Sequence, residues 1–350
     1  MEEAKSQIEN SIAQVRKRDG SISNFNTDKI LTAIYKAFSA SNKPDKELAI
    51  ELSDGVLTKL VEHGFSATNP PSVESIQDLV ESTLIDQGHS DIAKSYILYR
   101  HERRKIREEK MKVLNTKILD TVGKSFDINC LRVLASRYLM RDNKNEINET
   151  PSELFERVAV LVAISDILRN SELFVAEGGI SQNIEEATEY LKKLDDFNYK
   201  FKIGKYYLNK WHFRCLINCY VDLANQGKMK VPFKELLTMI ASKKLDGYAD
   251  KISEYYELMV SQDFLPNSPT MMNAGGRLGQ LSACFVLAMP DDMEGIMKST
   301  SDAALIFKSG GGVGINYSEL REEGEIVAST SGVASGPVSF MNIINSVTEV

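Results

Sequence analysis

The sequence is poor in cysteine and lacks any long apolar run. Only four cysteines occur in 350 residues, and none stands in a Cys-x-x-Cys pair, which excludes a zinc ribbon and a thioredoxin-like motif. No apolar run approaches the roughly 18 residues that cross a bilayer, and the first five residues lack the basic start and apolar centre of a signal peptide. We therefore expect a cytoplasmic protein with no membrane contact and no metal site.

An excess of positive charge is also lacking. The formal net charge is -7 and the pI is near 5.4, which argues against a general surface for polyanions, although a local basic cluster could still hold a few phosphates. Nucleic acid is therefore not expected as a partner. The hydrophobic content of 43% suffices for a packed core, and the length predicts two or three domains.

The first part of the chain predicts a hairpin followed by helices. Asp19-Gly20 is a signal for a two-residue turn between short strands. Asn26 or Thr27 is placed to cap a helix with an apolar face, formed by Ile30, Ile34, Ala37 and Phe38. Further helices are predicted at about residues 44–64, 72–88 and 90–110, the last ending in a mixed-charge run that reads as a solvated connector.

Two further regions follow. Residues 113–262 have mostly helical patterns and are interpreted as a scaffold. After Phe264 glycine, serine, asparagine and methionine become frequent and apolar runs become short, which predicts the start of an α/β domain. We thus predict domains at 1–110, 111–262 and 263–350. The last helix, predicted from Ser339 to Val350, shows no stop signal, so we expect the chain to be cut within this element.

A basic cluster near the hairpin is the first candidate site. Arg16, Lys17 and Arg18 lie beside the turn, and Lys29 lies one helical turn into the next element. These cations could converge on one polyphosphate. On charge alone, however, a solvated basic hairpin is a better interpretation than a polyphosphate-binding site.

The glycines of Ser309–Gly314 form the second candidate site. A phosphate-binding loop needs a strand, then glycines, then a helix. Here a predicted helix at 293–307 precedes the glycines and a strand-like stretch at 313–317 follows them, which excludes P-loop and dinucleotide enzymes. The glycines either allow close backbone approach to a ligand or provide a sharp turn at the edge of a barrel.

Acidic and thiol side chains flank these glycines. Asp291 and Asp292 begin the helix before them, where ordinary capping is the simpler interpretation. Strand alternation places Ser282 and Cys284 on one face, although an isolated cysteine usually acts as a small hydrophobe. A pair of thiols, Cys215 and Cys219, lies one helical turn apart, and these two cysteines are interpreted as packing residues with no metal role.

Ordered motifs resemble a known family. The first unit resembles the ATP-cone, through Val15-x-Lys-Arg-Asp-Gly20, Asp28-Lys-Ile30 and Tyr96-Ile-x-Tyr-Arg100. The rest looks like the large chain of ribonucleotide reductase, through Glu149-Thr-Pro, Glu156-Arg-Val-Ala159, Asn267-Ser-Pro-Thr, Leu281-Ser-Ala-Cys-Phe and Ser309-Gly-Gly-Gly-Val-Gly. The resemblance implies a multidomain α+β and α/β fold, in which a cone of hairpin and helix bundle and a helical domain precede a truncated ten-stranded α/β barrel.

The resemblance also implies site residues. In the cone, ATP or dATP, expected with Mg, would be held by Val15, Lys17, Arg18 and Lys29, with Gln77 near the base or sugar. In the barrel, Cys284 would be one of two cysteines that reduce the substrate, whose binding would involve Ser268, Ser282 and Gly314. Asp291, Asp292 and Arg321 would bind the nucleotide effector that sets substrate specificity.

The closest resemblance is to the adenosylcobalamin-dependent class, and a class I large-chain fragment is an alternative. The family's radical-cysteine loop and second reductant cysteine are absent, so we expect no activity without a complementary C-terminal half. A naturally split enzyme, an intein flank and a truncation each remain open. A thioredoxin-like reductant and a homodimer are further implied. The competing hypothesis is a non-catalytic ATP/dATP-sensing regulator.

Overall fold

The computed structural model describes residues 12–178, 182–196, 198, 200–327 and 331–349. The opening residues that argue against a signal peptide, and Val350 of the predicted last helix, lie outside these ranges. The chain divides between Leu119 and Asp120 into two compact units. In the described part, no helix is long and apolar enough to span a bilayer.

The first unit is a β-hairpin followed by four helices. Strands β1 (Gln14–Arg16) and β2 (Ile22–Asn24) pair antiparallel, with Arg16 opposite Ile22. The helices are α1 (Asp28–Ala40), α2 (Lys46–Glu62), α3 (Val73–Asp86) and α4 (Ser90–Val113). The predicted apolar face of α1 is buried in the core of this unit. The Ser72 hydroxyl accepts the Ser75 N–H at 2.9 Å and caps α3 at the predicted position.

The predicted two-residue turn at Asp19-Gly20 is wrong. The Gly20 N–H donates to the Lys17 carbonyl at 3.0 Å and the Lys17 N–H donates to the Ser21 carbonyl at 2.8 Å, so the turn contains three residues. Only Gly20 has a positive φ here, +82°, whereas a type I′ turn requires positive φ at Asp19 as well. The Asp19 carboxylate instead accepts the Ser21 N–H at 2.9 Å, which stabilises the longer turn.

The second unit begins with a helical region. Its helices are α5 (Thr121–Ser125), α6 (Ile128–Val133), α7 (Pro151–Leu168), α8 (Glu185–Lys192), α9 (Lys210–Asn225), α10 (Phe233–Ala241) and α11 (Tyr248–Val260). A π-helical turn, Leu134–Tyr138, continues α6, and a short hairpin pairs β3 (Lys202–Ile203) with β4 (Tyr206–Tyr207). A capping box of Thr150 and Glu153 begins α7. Helix α7 is the central element, because it is buried along most of its length and packs against α9 and α11.

The end of the second unit has α/β character. It contains α12 (Ser268–Asn273), β5 (Cys284–Ala288), α13 (Met293–Lys308), β6 (Gly312–Asn316), β7 (Ile326–Val327), β8 (Gly332–Val333) and α14 (Gly336–Thr348). Strands β5 and β6 are parallel, with Cys284 opposite Gly312, and α13 connects them. The predicted order of helix, glycines and strand is therefore confirmed.

A buried ion pair joins the helical region to α12. Arg157 of α7 is only 5% exposed, and its Nε lies 2.6 Å from the Glu149 Oε1. Its Nη1 donates to the Ala274 carbonyl, and its Nη2 donates to the Glu149 Oε2 at 3.1 Å and to the carbonyls of Met271, at 3.4 Å, and Tyr138, at 3.5 Å. One side chain thus neutralises a buried carboxylate and fixes the backbone at the end of α12.

A buried histidine extends this network. His212 of α9 accepts the Asn209 N–H at Nδ1, at 3.1 Å, and donates from Nε2 to the Arg157 carbonyl, at 2.9 Å. The Asn209 amide donates to the Gly275 carbonyl at 3.0 Å. A Cβ at Gly275 would lie 2.4 Å from the His212 ring, and the φ there is +64°, so this position requires glycine.

We predict that Arg157→Met lowers the free energy of unfolding of the second unit by about 3–5 kcal/mol, because Glu149 would stay buried without its cation. Urea unfolding followed by the fluorescence of Trp211, the only tryptophan, measures the change. The matched control is Lys251→Met, which removes an exposed ion pair with Glu254 and should have little effect. Equal unfolding midpoints for the two variants would contradict the prediction.

A second prediction concerns pH. Burial lowers the pKa of His212 from 6.5 to about 4, so between these values the unfolded chain binds a proton that the folded chain does not. The contribution of the neutral His212 to the free energy of unfolding is therefore fully present above pH 6.5. It decreases by about 3 kcal/mol as the pH falls towards 4. His212→Asn should flatten this part of the stability profile, measured by Trp211 fluorescence. The exposed His63 of the first unit provides the control His63→Asn, and an unchanged profile in His212→Asn would refute the assignment.

Candidate functional site

A cavity of about 280 Å³ lies in the first unit between the hairpin, α1 and α3. Four of the five residues predicted to bind nucleotide line this cavity: Val15, Lys17, Lys29 and Gln77. The remaining wall is largely apolar, formed by Phe25, Ile30, Ala33, Ile76 and Val80. The cavity therefore combines an apolar surface with two lysines, an arrangement that suits a ligand with a flat apolar part and an anionic part.

The fifth predicted residue, Arg18, is placed differently. Its Nε makes an ion pair with Glu74, and its Nη2 donates to the Gln77 Oε1 at 3.0 Å. Arg18 is therefore not among the lining residues but is bonded to one of them. The sequence prediction treated all the nearby cations as converging, because the position of Glu74 across the hairpin is visible only in the folded unit.

Tyr96 also lines the cavity, a role that the sequence analysis did not assign to it. Burial raises the pKa of Tyr96 to about 12, so its hydroxyl is neutral at physiological pH. The tyrosine lies on the buried face of α4, together with Ile92 and Ala93. Its phenol adds a polar group to the apolar wall of the cavity.

The second site is one face of the β5–β6 sheet. Cys284, Val286 and Ala288 are exposed on β5, and their partners Gly312, Gly314 and Asn316 are exposed on β6. The alternate residues Phe285 and Leu287 are partly buried on the opposite side. The predicted strand alternation is confirmed at Cys284, whose thiol stands on an open face opposite glycine.

Helix α12 holds the segment that leads into β5. The side-chain amides of Asn267 and Asn273 donate to the carbonyls of Leu281, at 3.0 Å, and Gln280, at 2.8 Å. Thr270 donates to the same Leu281 carbonyl at 3.3 Å. These three hydrogen bonds form the α12 brace and explain why asparagine and threonine recur in this stretch. The α12 brace fixes the backbone immediately before Ser282 and Cys284.

The two predicted serines have different partners. The Ser268 hydroxyl is 3.0 Å from the Tyr138 hydroxyl, a partner that no local sequence signal indicated, because 130 residues separate them. The Ser282 N–H donates to the Gln280 side chain at 3.1 Å. Ser268 begins α12, whereas Ser282 precedes β5.

The glycines around the start of β6 serve different purposes. Gly310 has a φ of +82° and makes the turn after α13. A Cβ at Gly311 would lie 2.8 Å from both Ile306 and the Phe285 ring, whereas at Gly314 its nearest neighbour would be 3.8 Å away. Gly311 is therefore required by packing, and Gly314 leaves space on the exposed face.

The three residues predicted to bind the specificity effector occur near the start of α13. The Asp291 Oδ2 lies 2.7 Å from the Arg321 Nε, and this hydrogen bond lowers the pKa of the Asp291 carboxyl. The Asp292 carboxylate accepts the Gly295 N–H at 2.8 Å and caps α13. The capping interpretation thus holds for Asp292, while Asp291 and Arg321 form an ion pair. Among the described residues, no group of three or more His, Cys, Asp or Glu side chains is placed to hold a metal ion.

Comparison with known proteins gives three consecutive matches. Residues 13–105 match the ATP cone domain, residues 124–279 match the all-alpha domain of ribonucleotide reductase, and residues 282–350 match its barrel domain. The two reductase domains together cover more than half of the chain.

Individual relatives agree with these matches. A vitamin B12-dependent ribonucleoside-diphosphate reductase of Thermoplasma acidophilum is 39% identical over 97% of this chain and 41% of its own length. A Mycobacterium tuberculosis protein of the same name is 29% identical over 95% of this chain and 36% of its own length. A ribonucleoside-diphosphate reductase subunit alpha of Chlamydia trachomatis is 24% identical over 95% of this chain and 38% of its own length. The chain thus spans about two fifths of the length of these relatives.

Proposed function

Because the chain belongs to the ribonucleotide reductase family, we propose that it is the N-terminal portion of an enzyme that converts ribonucleotides to deoxyribonucleotides. The observation that carries this proposal is the exposed Cys284 on β5, which stands on a face where its β6 neighbours Gly312 and Gly314 carry no side chain. Such a face lets a substrate approach a thiol closely, and the α12 brace fixes the backbone that presents it.

In this proposal Cys284 is a reductant. Its thiol and a second cysteine together supply two electrons and become a disulfide, while the ribose 2′-hydroxyl is replaced by hydrogen. No cysteine follows Cys284, so the second cysteine and the radical cysteine are assigned to a complementary reductase segment. Ser268, Ser282 and Gly314 would contact the substrate, with Ser268 oriented by Tyr138.

The radical generator is proposed from the relatives. Two of them carry vitamin B12 dependence in their names, which favours adenosylcobalamin, a cofactor whose cobalt–carbon bond breaks to start radical chemistry. None of the described residues is assigned to the cofactor. A class I large chain, which obtains its radical from a separate subunit, remains the alternative, supported by the less similar subunit alpha relatives.

The cone cavity is proposed to bind ATP or dATP as an effector. The apolar wall would hold the adenine near Gln77 and Tyr96, and Lys17 and Lys29 would hold the phosphates, accompanied by Mg. Arg18 would reach the phosphates only by leaving Glu74. Asp291 and Arg321 would separate in the same way to bind the sugar and phosphates of a specificity effector.

A thioredoxin-like protein would reduce the disulfide, and a cytoplasmic location and a homodimer fit the proposal. A non-catalytic ATP/dATP-sensing regulator is less well supported, because it leaves the α12 brace and the exposed Cys284 without a role. The two hypotheses differ in whether Cys284 matters for turnover.

We predict that Lys17→Ala and Lys29→Ala each weaken ATP binding about tenfold, because each loses one charge-assisted contact. Titration calorimetry of the 350-residue chain with ATP and Mg measures the dissociation constant. Lys36→Ala is the matched control, since Lys36 is an exposed lysine of α1 outside the cavity lining. Unchanged affinity in both cavity variants would place the nucleotide elsewhere.

We also predict that Cys284→Ser reduces thiol-dependent ribonucleotide reduction by at least about 100-fold, because serine cannot form the disulfide. The assay uses the chain together with its complementary reductase segment and measures deoxyribonucleotide formation. Cys130→Ser, which changes a cysteine on α6 outside the proposed site, should retain activity. Full activity of Cys284→Ser, with ATP binding intact, would remove the reductant assignment and favour the regulator.

A further inference from the structure

Two cysteines outside the proposed reductase site lie side by side. Cys215 and Cys219 are one helical turn apart on α9, and their Sγ atoms are separated by 3.8 Å. Both residues are half-buried, so the sulfurs are held by packing yet still open to small solutes. Their spacing predicts two packing residues, and the structure adds that the two sulfurs contact one another.

Neighbouring groups favour a thiolate at this pair. The hydrogen bond from the Cys215 thiol lowers the pKa of Cys219 to about 7. Burial and the Asp222 carboxylate oppose ionisation of Cys219, whereas the Arg169 guanidinium favours it. The pKa of Cys215 is raised, chiefly by its hydrogen bond to Cys219 and by burial. Cys219 is therefore the thiol of the pair that ionises more readily, beside the protonated thiol of Cys215.

The spacing of the sulfurs disfavours a disulfide. A disulfide needs its sulfurs about 2.05 Å apart and its Cβ atoms within about 4.5 Å, whereas residues one turn apart on a helix have Cβ atoms about 5–6 Å apart. Closure would distort α9. A trivalent atom with a lone pair is pyramidal and holds two sulfur ligands at a narrower angle than tetrahedral zinc does, so it needs the sulfurs slightly closer than the observed 3.8 Å. Small rotations of the two side chains supply this approach without a change in the helix backbone.

The number of protein ligands decides which atom can bridge the two sulfurs. Zinc requires four ligands, and among the described residues no third His, Cys, Asp or Glu side chain is placed to share a metal ion with the pair. A trivalent arsenical that carries one organic group needs only two thiolates, because the organic group fills its third position. We propose that Cys215 and Cys219 form a two-thiol binding site for monosubstituted trivalent arsenicals.

The reaction is a ligand exchange without oxidation or reduction. Two As–O bonds break and two As–S bonds form, and the thiol protons leave with the oxygens as water. The product bridges one turn of α9. The same helix carries Asn209 and His212 at its start, so the bridge is expected to stabilise the network around Arg157 against unfolding.

Phenylarsine oxide is a suitable probe, and intact mass spectrometry of the reduced 350-residue chain measures its binding. One bridged adduct per chain is expected, half-formed at a concentration at least about 100-fold lower than in Cys215→Ser or Cys219→Ser, because the second thiolate binds intramolecularly. The double variant Cys130→Ser with Cys284→Ser should retain the adduct. Trp211, one turn from Cys215, should report binding through its fluorescence, and the midpoint of thermal unfolding should rise.

Two results would overturn the proposal. One is equal phenylarsine oxide affinity in the original chain and in Cys215→Ser or Cys219→Ser, since a single thiol would then suffice. The other is loss of the adduct in the double variant that keeps the pair, which would place binding at Cys130 or Cys284. Serine is close to cysteine in size, and circular dichroism of each variant checks that α9 is retained.

Discussion

The buried Arg157 guanidinium is the interaction on which the second unit depends. It neutralises Glu149 and donates to the carbonyls of Met271 and Ala274, and its own carbonyl accepts from His212. A guanidinium suits this position because its fork of donors serves a carboxylate and several carbonyls at once, which a lysine cannot do. Removing any one partner leaves a buried polar group unsatisfied, so these residues act as a unit.

The network around Arg157 connects the helical region to the strand that carries Cys284. It fixes the end of α12, and α12 in turn holds the carbonyls of Gln280 and Leu281 through Asn267, Thr270 and Asn273. The strand that presents Cys284 therefore starts from a backbone anchored to the helical core. On this face Cys284 stands opposite Gly312, and Gly314 adds no side chain, so the space beside the thiol is not filled by β6.

Much of the fold was predictable because its determinants are local. The apolar face of α1 and the order of α13, glycines and β6 follow from periodicity and turn residues, and the family assignment from ordered motifs is confirmed by the domain matches. The turn at Asp19-Gly20 was mispredicted, because a dipeptide signal does not distinguish two-residue from three-residue turns. The ion pairs of Arg18 with Glu74 and of Arg157 with Glu149 could not be predicted, since each depends on tertiary structure. The assigned site residues remain predictions.

We propose that these residues act within a ribonucleotide reductase. The most direct test of this proposal is to capture the native gene product through its first unit from source cells, then to measure its intact mass and identify the chains that purify with it. We expect a segment with the radical cysteine and the second reductant cysteine to be present, either in the same chain or bound to it. We also expect the captured material to reduce ribonucleotides. A lone 39.1 kDa species that binds ATP but is accompanied by no such segment would contradict the claim and support a regulatory protein.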